Sequence, residues 1–219
     1  MPPHRSDLCA AWRELAGPGE RAAAVGAELV ARWDEPHRRH HTLHHLRAVL
    51  EAVGELAEDA ADITAVRYAA WFHDAVYQGE PGADEERSAR LAEELLPACG
   101  VDARRVAEVA RLVRVTAAHR PRPGDADAEV LCDADLSVLG GTPEEYAAYA
   151  RAVREEYRHV ADADFRAARA ALLEGLLAAP ALFHTERARA LWEARARANV
   201  AAEVRELTGT APGPGDATA

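Results

Sequence analysis

Residues 68–77 read Tyr68-Ala-Ala-Trp-Phe-His-Asp-Ala-Val-Tyr77, and the fold is read outward from them. On a helical wheel Tyr68, Trp71, Phe72, Val76 and Tyr77 leave no face for solvent. The spacing therefore predicts a buried helix that other helices must surround. His73 and Asp74 are the strongly polar side chains of the run, and they should be buried with it. A buried carboxylate without a partner is costly, so it is paired, protonated or bound to a cation. An adjacent His-Asp can offer a divalent metal one imidazole nitrogen and one carboxylate oxygen.

The surrounding chain is rich in Ala, Leu, Glu and Arg and shows no strand-like alternation. A first helix is expected from Ser6, as N-cap, to Gly17, and a second from Pro18 to Trp33. Glu35-Pro36 breaks the chain before a histidine-rich segment at 37–45, which continues as a helix to Ala57. Asp62 caps the buried helix, which should stop near Gly79–Gly82. Further helices are expected from Asp84 to Pro97 and from Asp102 to Ala118. After a loop at Arg120–Asp127 comes a short helix over 129–139, ending at Gly140-Gly141. Thr142-Pro-Glu-Glu145 has the form of a capping box, and two more helices cover 162–178 and 185–207. The fold class is all-α, one domain over 1–207, and the Gly, Pro, Ala and Thr tail at 208–219 is expected to be disordered.

One domain suits a chain of 219 residues. Its 37 acidic and 26 basic residues give a formal charge of -11, and every side-chain cation other than histidine is Arg. Net acidity argues against a nucleic-acid polymer or an anionic membrane as partner, although local Arg clusters could hold a phosphate. Nothing resembles a signal peptide or an apolar run of about 20 residues, so a cytoplasmic location is expected. Cys9, Cys99 and Cys132 lack metal-ligand spacing and are read as reduced thiols.

Wheel positions select the inward-facing polar residues. In the helix after Thr42, the apolar arc is Leu43, Leu46, Val49, Leu50 and Val53. His45 lies roughly 90° from its middle and His44 roughly 170° away. His45 is the inward residue, and His41 sits one turn before it; a surface histidine cluster is the alternative. In Val130–Leu139, Asp135 falls between Leu131 and Leu139, inside the apolar arc. Asp133 lies beyond its edge, as a ligand-orienting acceptor or a solvated acid. His119 ends the preceding helix, where it is a second metal ligand, a donor to phosphate or a cation complementing the helix dipole.

His45, His73-Asp74 and Asp135 form an H…HD…D series on successive helices, which resembles the HD superfamily of metal-dependent phosphohydrolases. A branch of predicted HD-superfamily hydrolases has motifs like R-x-Y-H-N-x-x-H, W-F-H-D-x-x-Y, N-E-E-x-S-A, D-A-D-L-x-x-L-G and R-x-E-Y. Here they read Arg38–His45, Trp71–Tyr77, Asp84–Ala89, Asp133–Gly140 and Arg154–Tyr157. The departures are His40 for Tyr, Thr42 for Asn and Asp84 for Asn; the first two alter the wall beside His41 and bear on the substrate.

The resemblance implies an HD-type helical bundle with His45, His73, Asp74 and Asp135 on one divalent ion. Two His and two Asp suit Mn²⁺, Fe²⁺, Co²⁺ or Ni²⁺, with Mg²⁺ and Zn²⁺ compatible. The implied activity is hydrolysis of a phosphate ester of a small metabolite, a nucleotide or nucleotide-like compound, by a metal-activated water. Asp74 would also accept the water's proton. Glu85 is the candidate general acid or base, and Arg38, Ser88 and Tyr157 are the candidate substrate or phosphate contacts. His41, His119 and Asp133 are candidates for a second metal or for substrate. A homodimer is left open. One alternative is a di-iron oxygenase of the HD type, which carries two extra histidines before the last Asp; only His119 lies between residues 74 and 135 here. The other is a non-catalytic metal or nucleotide sensor.

Overall fold

A computed structural model of the chain describes residues 3–209, and every regular element among them is helical, so the fold is all-α. The described residues fall into two compact units that divide between Asp135 and Leu136. The first holds α1 (Pro3–Ala16), α2 (Glu20–Trp33), α3 (Leu43–Glu55), α4 (Ile63–Phe72), α5 (Ala83–Leu95), α6 (Ala103–Thr116) and α7 (Ala126–Asp135). The second holds a 3₁₀ turn at Leu136–Gly140, α8 (Pro143–Glu156), α9 (Asp162–Ala178), α10 (Glu186–Ala188), a π-helical turn at Arg189–Glu193, and α11 (Ala194–Thr208). No described helix is long and apolar enough to cross a membrane.

Local cap chemistry sets several starts as the sequence predicts. Asp62 Oδ1 accepts the N–H groups of Thr64 and Ala65 at the start of α4, and Asp102 does the same for Arg104 and Arg105 at α6. Thr142 and Glu145 form the expected capping box of α8. Other boundaries differ. α1 begins at Pro3, so Ser6 lies inside it and donates to Asp7. α7 begins at Ala126, with Asp125 accepting the Ala128 N–H at Oδ1 (3.4 Å) and the Glu129 N–H at its carbonyl (2.8 Å), while the buried Asp127 turns its carboxylate onto the N–H groups of Ala61 (2.7 Å) and Asp62 (2.8 Å). α11 runs through Thr208 and Gly209 follows it in a left-handed conformation; the rest of the expected tail, 210–219, lies outside the described residues.

The core of the first unit is built on three fully buried tryptophans, Trp12, Trp33 and Trp71. Each removes about 150–250 Å² from water, about 4–6 kcal/mol of transfer free energy before the entropy of ordering. Trp12 of α1 meets Trp71 edge-on at 5.2 Å and donates its indole N–H to Ala22 O at 2.6 Å, joining α1, α2 and α4. α4 is the central helix of this unit, with Ala65, Val66, Ala69, Ala70 and Phe72 all at 0% exposure and Arg67 alone in its middle turned to solvent. In the second unit, Glu203 of α11 accepts from Tyr146 of α8 and pairs with Arg169 of α9 at 2.9 Å. Burial, with the Glu203 carboxylate beside it, pushes the Tyr146 phenol pKa up. Gly140 fits because a Cβ there would lie 2.5 Å from Trp192 Cβ.

Candidate metal centre

The sequence predicts a helix running on from Tyr68 to about Gly79, but α4 ends at Phe72, with His73 as its C-cap. The reason lies in where the carbonyls go. A helix end leaves four carbonyls without intrahelical partners. Here Ala69 O takes the His73 N–H (2.8 Å), Ala70 O takes the His73 ring at Nδ1 (2.8 Å), Trp71 O takes the Trp33 indole (3.0 Å) and Phe72 O takes the Ala75 N–H (3.0 Å). The carbonyls beyond are claimed by side chains too: Asp74 O and Ala75 O by Arg38, Val76 O by Ser88, and Tyr77 O by His37. Beyond the His73 N–H, turn and side-chain donors stand where the i→i−4 ladder would continue. His73 and Asp74 therefore sit on a fixed turn, His73 fully buried and the Asp74 side chain 14% exposed.

That turn also fixes the chemistry of the ring. A carbonyl can only accept, so His73 Nδ1 carries a proton and a neutral His73 presents a lone pair at Nε2. His73 Nε2 faces Asp74 Oδ2 at 3.2 Å, His45 Nε2 at 3.4 Å and Asp135 Oδ1 at 3.5 Å. His45 Nε2 lies 3.0 Å from Asp135 Oδ1 and 4.0 Å from Asp74 Oδ2. α3 supplies His45, buried while His44 is exposed, as the wheel predicts. α7 supplies Asp135 at its last position. Trp33 packs its ring 5.2 Å from His73 and 6.1 Å from His45, closing one side of the cluster.

The electrostatics couple the buried carboxylates to the imidazoles around them. Burial works to strip the proton from His73, but the Asp74 and Asp135 carboxylates hold it well above the usual imidazole value. Burial also works to protonate Asp135; the neighbouring His73, His119 and His45 overcome this and hold its pKa well below the usual carboxylate value. Asp74 is lowered in the same way, with burial opposed chiefly by His73 and His41. His45 is lowered, chiefly by burial.

His45, His73 and Asp135 form a group that could hold a metal ion, and the spacing fits one. An octahedral ion with bonds near 2.1 Å puts neighbouring donors about 3.0 Å apart and opposite donors about 4.2 Å apart. Within the group the 3.0, 3.4 and 3.5 Å separations fall near the first value; Asp74, the acid of the His-Asp pair, stands outside the group, its Oδ2 3.2 Å from His73 Nε2 and 4.0 Å from His45 Nε2.

His119 adopts a left-handed backbone (φ 48) and points Nε2 at Asp135 Oδ2, 2.7 Å away. Asp135 only accepts, so His119 donates, and the bond orients the carboxylate so that its other oxygen faces His45 and His73. His41 stacks on Tyr77 with ring centres 4.1 Å apart, and its Nε2 lies 3.9 Å from Asp74 Oδ2. Asp133, read from the wheel as beyond the apolar edge, is completely buried, because Leu131, Cys132 and Ala134 around it are buried as well and α7 presents no solvated side there.

The other candidates have different partners. Glu85 caps the start of α5, accepting the Gly82 N–H. Ser88, also fully buried, accepts the Val76 N–H at 3.0 Å and donates to Val76 O at 3.3 Å. Arg38 directs four hydrogen bonds at Glu35, His41 O, Asp74 O and Ala75 O, so its guanidinium is not free to fork onto a phosphate. Tyr157 follows α8 with its ring near His159 and Phe165 in the second unit. Trp33, His37 and Asp84 were not singled out from sequence, yet they hold the segments that frame the cluster. Asp84, for instance, accepts the N–H groups of Gln78 and Glu80, both at 2.8 Å. Their common signal is a polar or indole group beside a Pro or Gly break, where backbone groups lack helix partners.

Comparison of the chain with family models, curated proteins and solved structures finds no match.

Proposed function

We propose that the chain is a metal-dependent phosphohydrolase that cleaves a phosphate ester of a small metabolite. The observation that carries the reading is the convergence of His45 Nε2, His73 Nε2 and Asp135 Oδ1 to mutual separations of 3.0–3.5 Å. The H…HD…D order of these residues, with its resemblance to HD phosphohydrolases, supports the reaction class and a nucleotide-like substrate. A divalent ion bound there would acidify a water and offset charge on phosphoryl oxygens. His45, His73 and Asp135 would hold it. Asp74, at the more open edge of the cluster, would complete the set or take the proton of the attacking water. His119 would keep Asp135 in register through its hydrogen bond.

The test is phosphate release from a panel of nucleotides and sugar phosphates by Mn²⁺-loaded protein, with His73→Ala and Asp135→Ala as comparators. Release by the wild type alone supports the proposal, and no release from any phosphate ester by loaded wild type counts against it. One observation favours a second reading, a di-iron oxygenase. A further imidazole stands beside each carboxylate, His119 at 2.7 Å from the outer oxygen Asp135 Oδ2 and His41 at 3.9 Å from Asp74 Oδ2, the oxygen that also faces His73. Two irons per chain with O₂ uptake and no phosphate release would select it.

A further inference from the structure

Arg38 has 3% exposure, and its charge lies between the faces of Trp33 (5.4 Å) and Tyr77 (5.5 Å). A buried guanidinium persists only where its donors are paired. Its Nε is 3.2 Å from Glu35 Oε2; Nη1 donates to His41 O (3.1 Å) and Asp74 O (2.8 Å), and Nη2 to Ala75 O (3.2 Å). These acceptors belong to two different segments. Glu35 and His41 lie on the connection leading into α3 and His45. Asp74 and Ala75 form the turn that ends α4.

One rigid fork thus joins the histidine side of the cluster to the carboxylate side through the backbone. We propose that Arg38 is a positioning residue, which sets the distance of the Asp74 carboxylate from His73 and His45 by clamping the Asp74–Ala75 turn to the His41 backbone. The proposal rests on the reading of the cluster as a cation site. Methionine at this position would keep the packing against Trp33 and Tyr77 but leave three carbonyls without their donor. The turn would then be free to rotate, and a site held to within about 0.5 Å loses its ion when its support is loose.

Mn²⁺ is the probe, titrated calorimetrically into the full chain with Arg38→Met, Arg38→Lys and Asp127→Asn. Asp127→Asn loosens the opposite end of α4 and controls for general destabilisation. At a temperature where all are folded, Arg38→Met should bind Mn²⁺ at least tenfold more weakly than wild type, Arg38→Lys should fall between, and Asp127→Asn should match wild type. Should Arg38→Met not fold, the Arg38→Lys result decides. Wild-type affinity in a folded Arg38 variant overturns the proposal, and so does an equal loss in Asp127→Asn. Amide hydrogen exchange over residues 74–77 of the metal-free protein separates the two readings. If wild type binds no Mn²⁺, the cation reading fails, and faster exchange in the Arg38 variant alone still supports the clamp; unchanged exchange overturns it.

Discussion

Ser88→Ala removes one oxygen from the interior and leaves two backbone groups without a partner. Ser88 is 0% exposed, and its hydroxyl takes the Val76 N–H at 3.0 Å while donating to Val76 O at 3.3 Å. Leaving a buried donor or acceptor unsatisfied costs about 1–3 kcal/mol; with about 1–2 kcal/mol for each of these part-buried groups, the pair predicts a loss of about 2–4 kcal/mol. With a urea m-value of about 2 kcal/mol/M, the midpoint should fall by about 1–2 M. Tryptophan fluorescence suits the measurement, since Trp12, Trp33 and Trp71 all lie in the unit that contains Ser88. The same substitution separates the roles open to Ser88. A phosphate contact would leave the midpoint unchanged and raise KM. A clamp on the turn after Asp74 lowers the midpoint. A shift below about 0.25 M at unchanged m refutes the clamp.

Two further predictions concern the frame of the first unit. Gly26→Ala should lower its thermal midpoint although alanine favours helix by about 1 kcal/mol, because the new Cβ would overlap the Trp12 indole, which is tied to Ala22 O. Overpacking of this kind costs about 1–3 kcal/mol, and a raised Tm contradicts the reasoning. Asp62 sets an acid limb. Burial works to raise its pKa, but the Ala65 N–H and Arg105 lower it below the usual carboxylate value. The contribution is therefore present above the unfolded-chain value and is lost as pH falls through the folded one. Asp62→Asn should flatten the decline of the urea midpoint on acidification below about pH 4, and an unchanged slope contradicts the assignment.

What the sequence discloses here is what is local. Asp62, Asp102 and Thr142 cap helices through groups two or three residues away, so their role is legible from the pattern alone. Periodicity separates buried His45 from exposed His44, since α3 has one apolar face. The end of α4 is not legible. It is enforced by Trp33, His37, Arg38 and Ser88, whose partners are decided by tertiary packing. The reading of Arg38 and Ser88 as phosphate contacts places them in the right neighbourhood, but pattern alone cannot show that backbone groups already occupy their donors. Asp133 defeats the wheel for a related reason: α7 is covered on more than one side, and a single apolar arc no longer identifies the inside.

The central claim is that two imidazoles and a carboxylate converge to hold a divalent ion. Metal content and Mn²⁺ affinity of chain purified without chelator, alongside His45→Ala, His73→Ala and Asp135→Ala, test it most directly. The account predicts tight binding in wild type, loss in all three variants, and affinity that weakens as pH falls, because the ligating imidazoles must be neutral to coordinate. Wild-type protein that takes up no ion after reloading, or variants that bind as wild type does, would contradict it.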